Sequence, residues 1–287
     1  MGCRWLRSST SHTQRIYACH RGLSTHVISQ WSGTNPPAGR CTLKLHSDYS
    51  IGSYFPSTKH FIVSDCILED SNNPIAPNSG YSCKIGTESG AAFENPQYVT
   101  DVIVERNFVG STISPIGIDS CQRVTVRNNI ARDVNSGLNI DFDGILVTDM
   151  WATNICDSIW VYNNSVSELN SDHSNVAAGV RVTGAGTNIE VRNNVGYFPN
   201  WNPALCVAVA SVPSIIQSNN VKTLTPGFVN PTMDDFNLLL TSELIDAGYL
   251  IQWLRHDKDL KPRGSTIDIG AFEYQSLVSN LICIGYC

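Results

Sequence analysis

Apolar and polar residues alternate along much of the chain in short runs that end in asparagine. Six segments share one pattern: Phe61-Ile-Val-Ser-Asp-Cys66, Val102-Ile-Val-Glu-Arg-Asn107, Val124-Thr-Val-Arg-Asn-Asn129, Ile159-Trp-Val-Tyr-Asn-Asn164, Ile189-Glu-Val-Arg-Asn-Asn194 and Ile215-Ile-Gln-Ser-Asn-Asn220. Apolar residues at the first and third positions predict a strand with one buried face. Asn then ends the strand, because it tolerates a left-handed backbone and bonds its own main chain. The final positions lie 41, 22, 35, 30 and 26 residues apart, and the 41-residue step predicts one extra coil hidden within it. Turns stacked ~4.8 Å apart would let the side chains at this position bond to one another in a ladder.

A second strand recurs upstream, as Ile116-Gly-Ile-Asp119, Gly144-Ile-Leu-Val147, Gly179-Val-Arg-Val182 and Cys206-Val-Ala-Val209. Strand, short polar link, strand and Asn-Asn at an irregular ~20–35-residue period predict an all-β chain wound as a parallel β-helix solenoid. The period-two alternation excludes a helical solenoid, and a propeller would keep a more constant blade length. Insertions are expected in the loops on one side.

Composition narrows the class. Apolar residues make up 42% of the 287 and charged residues only 15%, against a usual ~25%, which excludes coiled coils and disordered chains. No apolar run approaches the ~20 residues of a membrane span. The net charge of −6 argues against nucleic acid as a partner. Residues 1–47 hold six basic and no acidic residues. That Arg- and Ser-rich start fits a transit peptide or an irregular first coil, and lacks the apolar core of a secretory signal. Ten cysteines occur without a Cys-x-x-Cys pair, so a zinc ribbon is not expected. The mid-chain cysteines read as buried thiols. The alternative is an oxidised, secreted protein, in which Cys283-Ile-Gly-Tyr-Cys287 could close a small loop.

The C-terminal region reads Pro226-Gly-Phe-Val-Asn-Pro, Asp235-Phe-Asn-Leu-Leu-Leu, Leu244-Ile-Asp-Ala-Gly248, Lys261-Pro-Arg263 and Ile267-Asp-Ile-Gly-Ala-Phe-Glu273. With the repeats, this resembles the right-handed parallel β-helix proteins of the pectate-lyase-like superfamily, and in particular the closing segment of bacterial extracellular members. Lys261-Pro-Arg263 departs from the more usual Arg-Pro. The resemblance covers residues 60–275 and speaks to architecture more than activity. It implies a single domain with an N-terminal irregular or capping segment (1–50), coils (51–225), a C-terminal cap (226–275) and a tail (276–287). A cap is expected to close the open end of the solenoid, with Asp246, Asp257, Asp268, Glu273, Arg255 and Arg263 as a charge network.

Chemistry on such a rod falls to residues facing outward. On the strand ending in Asn-Asn, the second position stacks Ile62, Ile103, Thr125, Trp160, Glu190 and Ile216. The fourth stacks Ser64, Glu105, Arg127, Tyr162, Arg192 and Ser218. Glu105, Arg127, Trp160, Tyr162, Glu190 and Arg192 form a candidate substrate strip, since rings pack on sugars and guanidiniums pair with uronate carboxylates. On the upstream strand Asp119 and Arg181 face outward, near Asp141, Asp143 and His173. Asp141 and Asp143 are candidate Ca²⁺ ligands, because alternating carboxylates suit a hard cation. Members of the resembled superfamily include polysaccharide lyases, which abstract the proton beside a uronate carboxylate. Here Arg181 or His173 would be the base, with a cation or Arg neutralising the carboxylate. A glycosidase would instead need two carboxylates ~5–9.5 Å apart, such as Asp119 with Asp141 or Asp143. Three readings therefore stand: an extracellular carbohydrate-active enzyme acting on an acidic polysaccharide (lyase before glycosidase or epimerase), a glycan-binding surface rod, or a self-associating filament subunit.

Overall fold

A computed structural model describes residues 16–21, 24–29, 41–45, 49–53, 59–70, 81–86, 99–111, 114–133, 143–149, 155–169, 178–200 and 205–275. Among them there is no α-helix, and therefore none long and apolar enough to cross a membrane. The strands stack in three parallel sheets. The first contains Tyr49–Ser53, Tyr81–Gly86, Ser114–Asp119, Asp143–Thr148, Ala178–Thr183 and Leu205–Ala210. The second contains Lys59–Ser64, Val99–Glu105, Cys121–Arg127, Asp157–Tyr162, Thr187–Arg192 and Ile215–Ser218. The third contains Cys41–Leu45, Cys66–Asp70, Phe108–Ser111, Ile130–Asp133, Ser165–Ser167, Val195–Tyr197 and Val221–Thr223. The chain visits the three in turn, so each circuit is one coil of a parallel β-helix.

Inward columns of β-branched residues form the core. Val102, Val124, Ile159 and Ile189 stack in one column, and Val104, Val126, Val161 and Val191 in the next; all are at most 1% exposed. Branching at Cβ suits the pleat, and each buried side chain contributes ~1.5–3 kcal/mol from water exclusion. Cys66, Cys83, Cys121, Cys156 and Cys206 are buried free thiols among these columns. Burial pushes the thiols of Cys83, Cys156 and Cys206 up to about 12, which leaves them protonated and unreactive.

The 41-residue step holds no additional coil. Phe61–Ser64 pairs directly with Val102–Glu105, and the surplus length falls in residues 71–80 and 87–98, outside the described residues. The third sheet is absent from the repeat pattern because its strands have as few as three residues, too short to show an alternation.

Between the second and third sheets the chain turns through one left-handed residue. Arg106, Asn128, Asn163, Asn193 and Asn219 have φ of 56°, 54°, 52°, 56° and 53°. The following Asn points inward and builds the ladder. Nδ2 of Asn107, Asn129, Asn164 and Asn194 donates to Oδ1 of the next rung at 3.0, 3.0, 2.9 and 2.9 Å. Each Nδ2 also donates to a main-chain carbonyl of the previous coil: Val63, Val104, Val126 and Val161.

The C-terminal region packs along the flank of the rod, with Val221 of the last coil among its contacts. Phe228–Asn230 and Asp235–Leu238 form an antiparallel pair. Phe228, Phe236, Leu244, Ile269 and Phe272 pack with Ile130 and Val195 of the third sheet. Residues 246–274 then run as a strap along the flank. The side-chain amides of Asn128, Asn163, Asn193 and Asn219 donate to the carbonyls of His256, Asp268, Tyr249 and Ala247, each at 2.8 Å.

The expected charge network holds the strap together. Arg263, with its side chain fully buried, donates to Glu273 at 2.8 Å, to Asn128 Oδ1 at 3.0 Å and to the Gly270 carbonyl at 2.9 Å. Asp257 accepts main-chain N–H bonds from Asp259, Lys261 and Glu273. The main-chain carbonyl of Arg255, rather than its guanidinium, is what meets Arg263, accepting from its N–H at 2.8 Å. Burial raises the carboxyls of Asp268 and Glu273 and lowers the Arg263 guanidinium, so desolvation outweighs the attraction between these charges.

Candidate functional site

Two outward faces carry the candidate residues. On the second sheet, strand register creates both columns the repeat alignment predicts. Glu105, Arg127, Tyr162 and Arg192 are successive partners in one, and Thr125, Trp160 and Glu190 in the other. Arg127 donates to Glu105 at 2.7 Å. The Tyr162 hydroxyl donates to Glu190 at 2.7 Å, and Arg192 does so at 3.2 Å. Burial first, and then the bond to Glu190, pushes the Tyr162 phenol up.

The strap covers this strip, which the sequence analysis expects to be open. Glu105 and Tyr162 are only 6% and 4% exposed. Ile251 and Leu254 are buried against Tyr162, with Trp160 packed beside them. The Arg127 guanidinium lies 5.1 Å from the Trp253 ring centre and that of Arg192 lies 4.1 Å from Tyr249. Trp253 also meets Tyr162 at 5.7 Å between ring centres. The six strip residues are thus brought together, but two strap rings are what this flank presents: Trp253 is 50% exposed and Tyr249 48%. Neither could be placed here from the repeat, since both lie outside it.

On the first sheet the structure separates the proposed catalytic residues into two ion pairs. Asp143 is held by Arg181 Nε at 2.7 Å from both carboxylate oxygens. Asp119, 1% exposed, lies 4.0 Å from the Lys84 ammonium, itself 5% exposed. Lys84 escapes the sequence reading because its strand, Tyr81–Gly86, belongs to no aligned repeat. Lys84, Gly117, Leu146 and Arg181 are successive partners, so the two cations lie about 14 Å apart along the rod. Asp119 pairs with Thr148, five residues along the strand from Asp143. That puts the two backbones about 17 Å apart, too far for the carboxylate pair of a glycosidase. Asp141 and His173 lie outside the described residues.

Of the two expected Ca²⁺ ligands, Asp143 is engaged by Arg181 and Asp141 lies outside the described residues, among which no cluster of three or more His, Cys, Asp or Glu able to hold a metal occurs. A cleft of about 500 Å³ opens between Tyr197 and the Leu224–Phe228 stretch, with Glu243 as its acidic side chain. Its lining includes no residue of either charged face. No family model matches the chain, and no curated protein matches it.

Proposed function

We propose that the protein is an extracellular polysaccharide-binding β-helix of the pectate-lyase-like superfamily, and that the glycan lies across Tyr249 and Trp253. The observation that carries this reading is the pair of half-exposed rings, each with a guanidinium against it. A guanidinium strengthens and orients the ring it covers, and the opposite face stays available to the C–H face of a pyranose. Arg127 and Arg192, the cations against the two rings, are two coil steps or about 10 Å apart along the rod, the length of two linked pyranose units. Arg127 and Arg192 are already engaged by Glu105 and Glu190. Ring stacking, rather than pairing of these arginines with uronates, therefore dominates affinity.

The test is binding to a panel of neutral and uronic-acid polymers. Tyr249→Leu with Trp253→Leu keeps an apolar cover over Tyr162 but removes the stacking faces. This double variant is expected to lose about 5- to 150-fold in affinity, from ~1–3 kcal/mol of stacking, with an unchanged melting temperature. Undiminished binding would refute the platform.

The two ion pairs on the first sheet favour a second reading, a lyase working on that face. Asp119, Lys84 and Asp143 are only 1–8% exposed, with Arg181 partly exposed, and burying such charges is costly where no chemistry uses them. Release of unsaturated uronides, seen as new ultraviolet absorbance and lost in Lys84→Met and Arg181→Met, is the expected signature. Its absence on all uronic polymers would leave the binding rod alone.

A further inference from the structure

The two ends of the rod are finished differently. At the start, an antiparallel hairpin of Ile16–Arg21 and Ser24–Ser29 packs beside Tyr49–Ser53. At the other end, Leu205–Ala210, Ile215–Ser218 and Val221–Thr223 each have a neighbour on one side only, and among the described residues no strand pairs with their outer edges. Three rows of main-chain donors and acceptors face outward there.

The side chains of this last coil repeat what every inner coil shows to its successor. Val209 continues the column of Val147 and Val182, which are 0% exposed, yet is itself 40% exposed. Leu205 and Ile216 are 48% and 50% exposed. Asn220 receives the ladder from Asn194 at 2.9 Å and donates to the Val191 carbonyl at 2.7 Å, but among the described residues no following rung continues the ladder. Edge strands are normally guarded by charge, proline or a bulge. These three contain one charged residue, Lys222, and no proline.

We infer that this end docks against the same end of a second copy of the chain. The occupant must satisfy three edges, an apolar column and an amide row together, and only another β-helix coil offers all of them. A single peptide strand would satisfy one edge. The interface continues the coil-to-coil stacking already present five times within the chain. The hairpin at the opposite end removes the head-to-tail alternative. A two-fold axis reverses strand direction, so Leu205–Ala210 would lie antiparallel to its own copy, and the contact closes at two subunits instead of propagating as a fibre. Strands of six residues give the coil a face about 20 Å on a side, small for an interface. The dimer is accordingly of micromolar strength, not nanomolar.

Sedimentation velocity on the full chain, from about 1 to about 200 μM, should show a monomer passing to a dimer and stopping there. Val209→Lys sets like charges across the two-fold, and Ile216→Lys, separately, sets a charge against the third-sheet strand of the second copy, which carries Lys222; each should raise the dissociation constant at least about tenfold. Ile216 is half exposed on the outward side, so its variant keeps the fold even if Val209→Lys does not. A monomer at every concentration overturns the inference, as does mass growing past a dimer, or a dimer indifferent to Ile216→Lys. A full-length monomer that dimerises only after removal of residues 276–287 overturns it too, by assigning the end to the tail.

Discussion

The two asparagines of each Asn-Asn pair are adjacent in sequence and have opposite fates. The inner column (Asn129, Asn164, Asn194) is spent on the solenoid itself: each amide bonds to the rungs on either side and to a carbonyl of the previous coil. The outer column (Asn128, Asn163, Asn193, Asn219) takes the left-handed turn and presents its amides to the strap. One backbone dihedral decides which asparagine builds the coil and which holds the cover. The turn thus serves the core and the flank at once, and the flank's accessibility depends on the second column.

Removing an inner amide should do the most damage. Asn164→Ala leaves the Val126 carbonyl and the amides of Asn129 and Asn194 without their shared partner, at a cost of about 3 kcal/mol. Urea denaturation should show the whole rod melting earlier. An unchanged midpoint would mean the ladder bears no stability.

The outer column separates backbone from side chain. Asn163→Gly keeps the left-handed turn and loses the bond to the Asp268 carbonyl, for about 1 kcal/mol. Asn163→Ala should cost roughly 1–2 kcal/mol more, because Ala resists φ near +52°. If the two variants behave alike, the turn is not strained. Hydrogen exchange should rise along residues 246–274 in both, while the inner coils stay protected.

The smallest effect is electrostatic. Asp157, at the start of its strand, accepts from Thr187 Oγ1 at 2.6 Å, Asn188 at 2.8 Å and Ser158 at 3.1 Å. These bonds, that from Thr187 foremost, hold its carboxyl below the usual 3.8. A lowered value in the folded state means the unfolded chain binds the proton more tightly. The stabilisation is present above pH 3.8 and is lost as pH falls through the depressed value. Asp157→Asn should flatten the acid limb of the stability–pH curve, with its loss of stability seen at neutral pH and vanishing below the depressed value.

Much of the rod was legible in the chain. The alternation in Val124-Thr-Val-Arg and its relatives marks the second sheet, and the Asn column marks the turn, because both arise from contacts repeated between equivalent positions. The register of Glu105, Arg127, Tyr162 and Arg192 follows from the same alignment. The third sheet was not legible, since three residues such as Ser165–Ser167 carry no period. Lys84 was hidden because its strand belongs to no aligned repeat, and the strap by its lack of any repeat.

The sequence by itself determined the winding: period-two alternation and Asn at a constant place leave a stacked parallel coil as the arrangement that buries the apolar side and pairs the amides. Tertiary structure alone decided what that coil shows to solvent. Strip residues that point away from the core still become buried when a segment more than 80 residues downstream of Tyr162 lays Ile251, Trp253 and Leu254 over them. Outward direction is a local property of the pleat, whereas exposure depends on packing by a distant part of the chain, and no pattern within a strand encodes that.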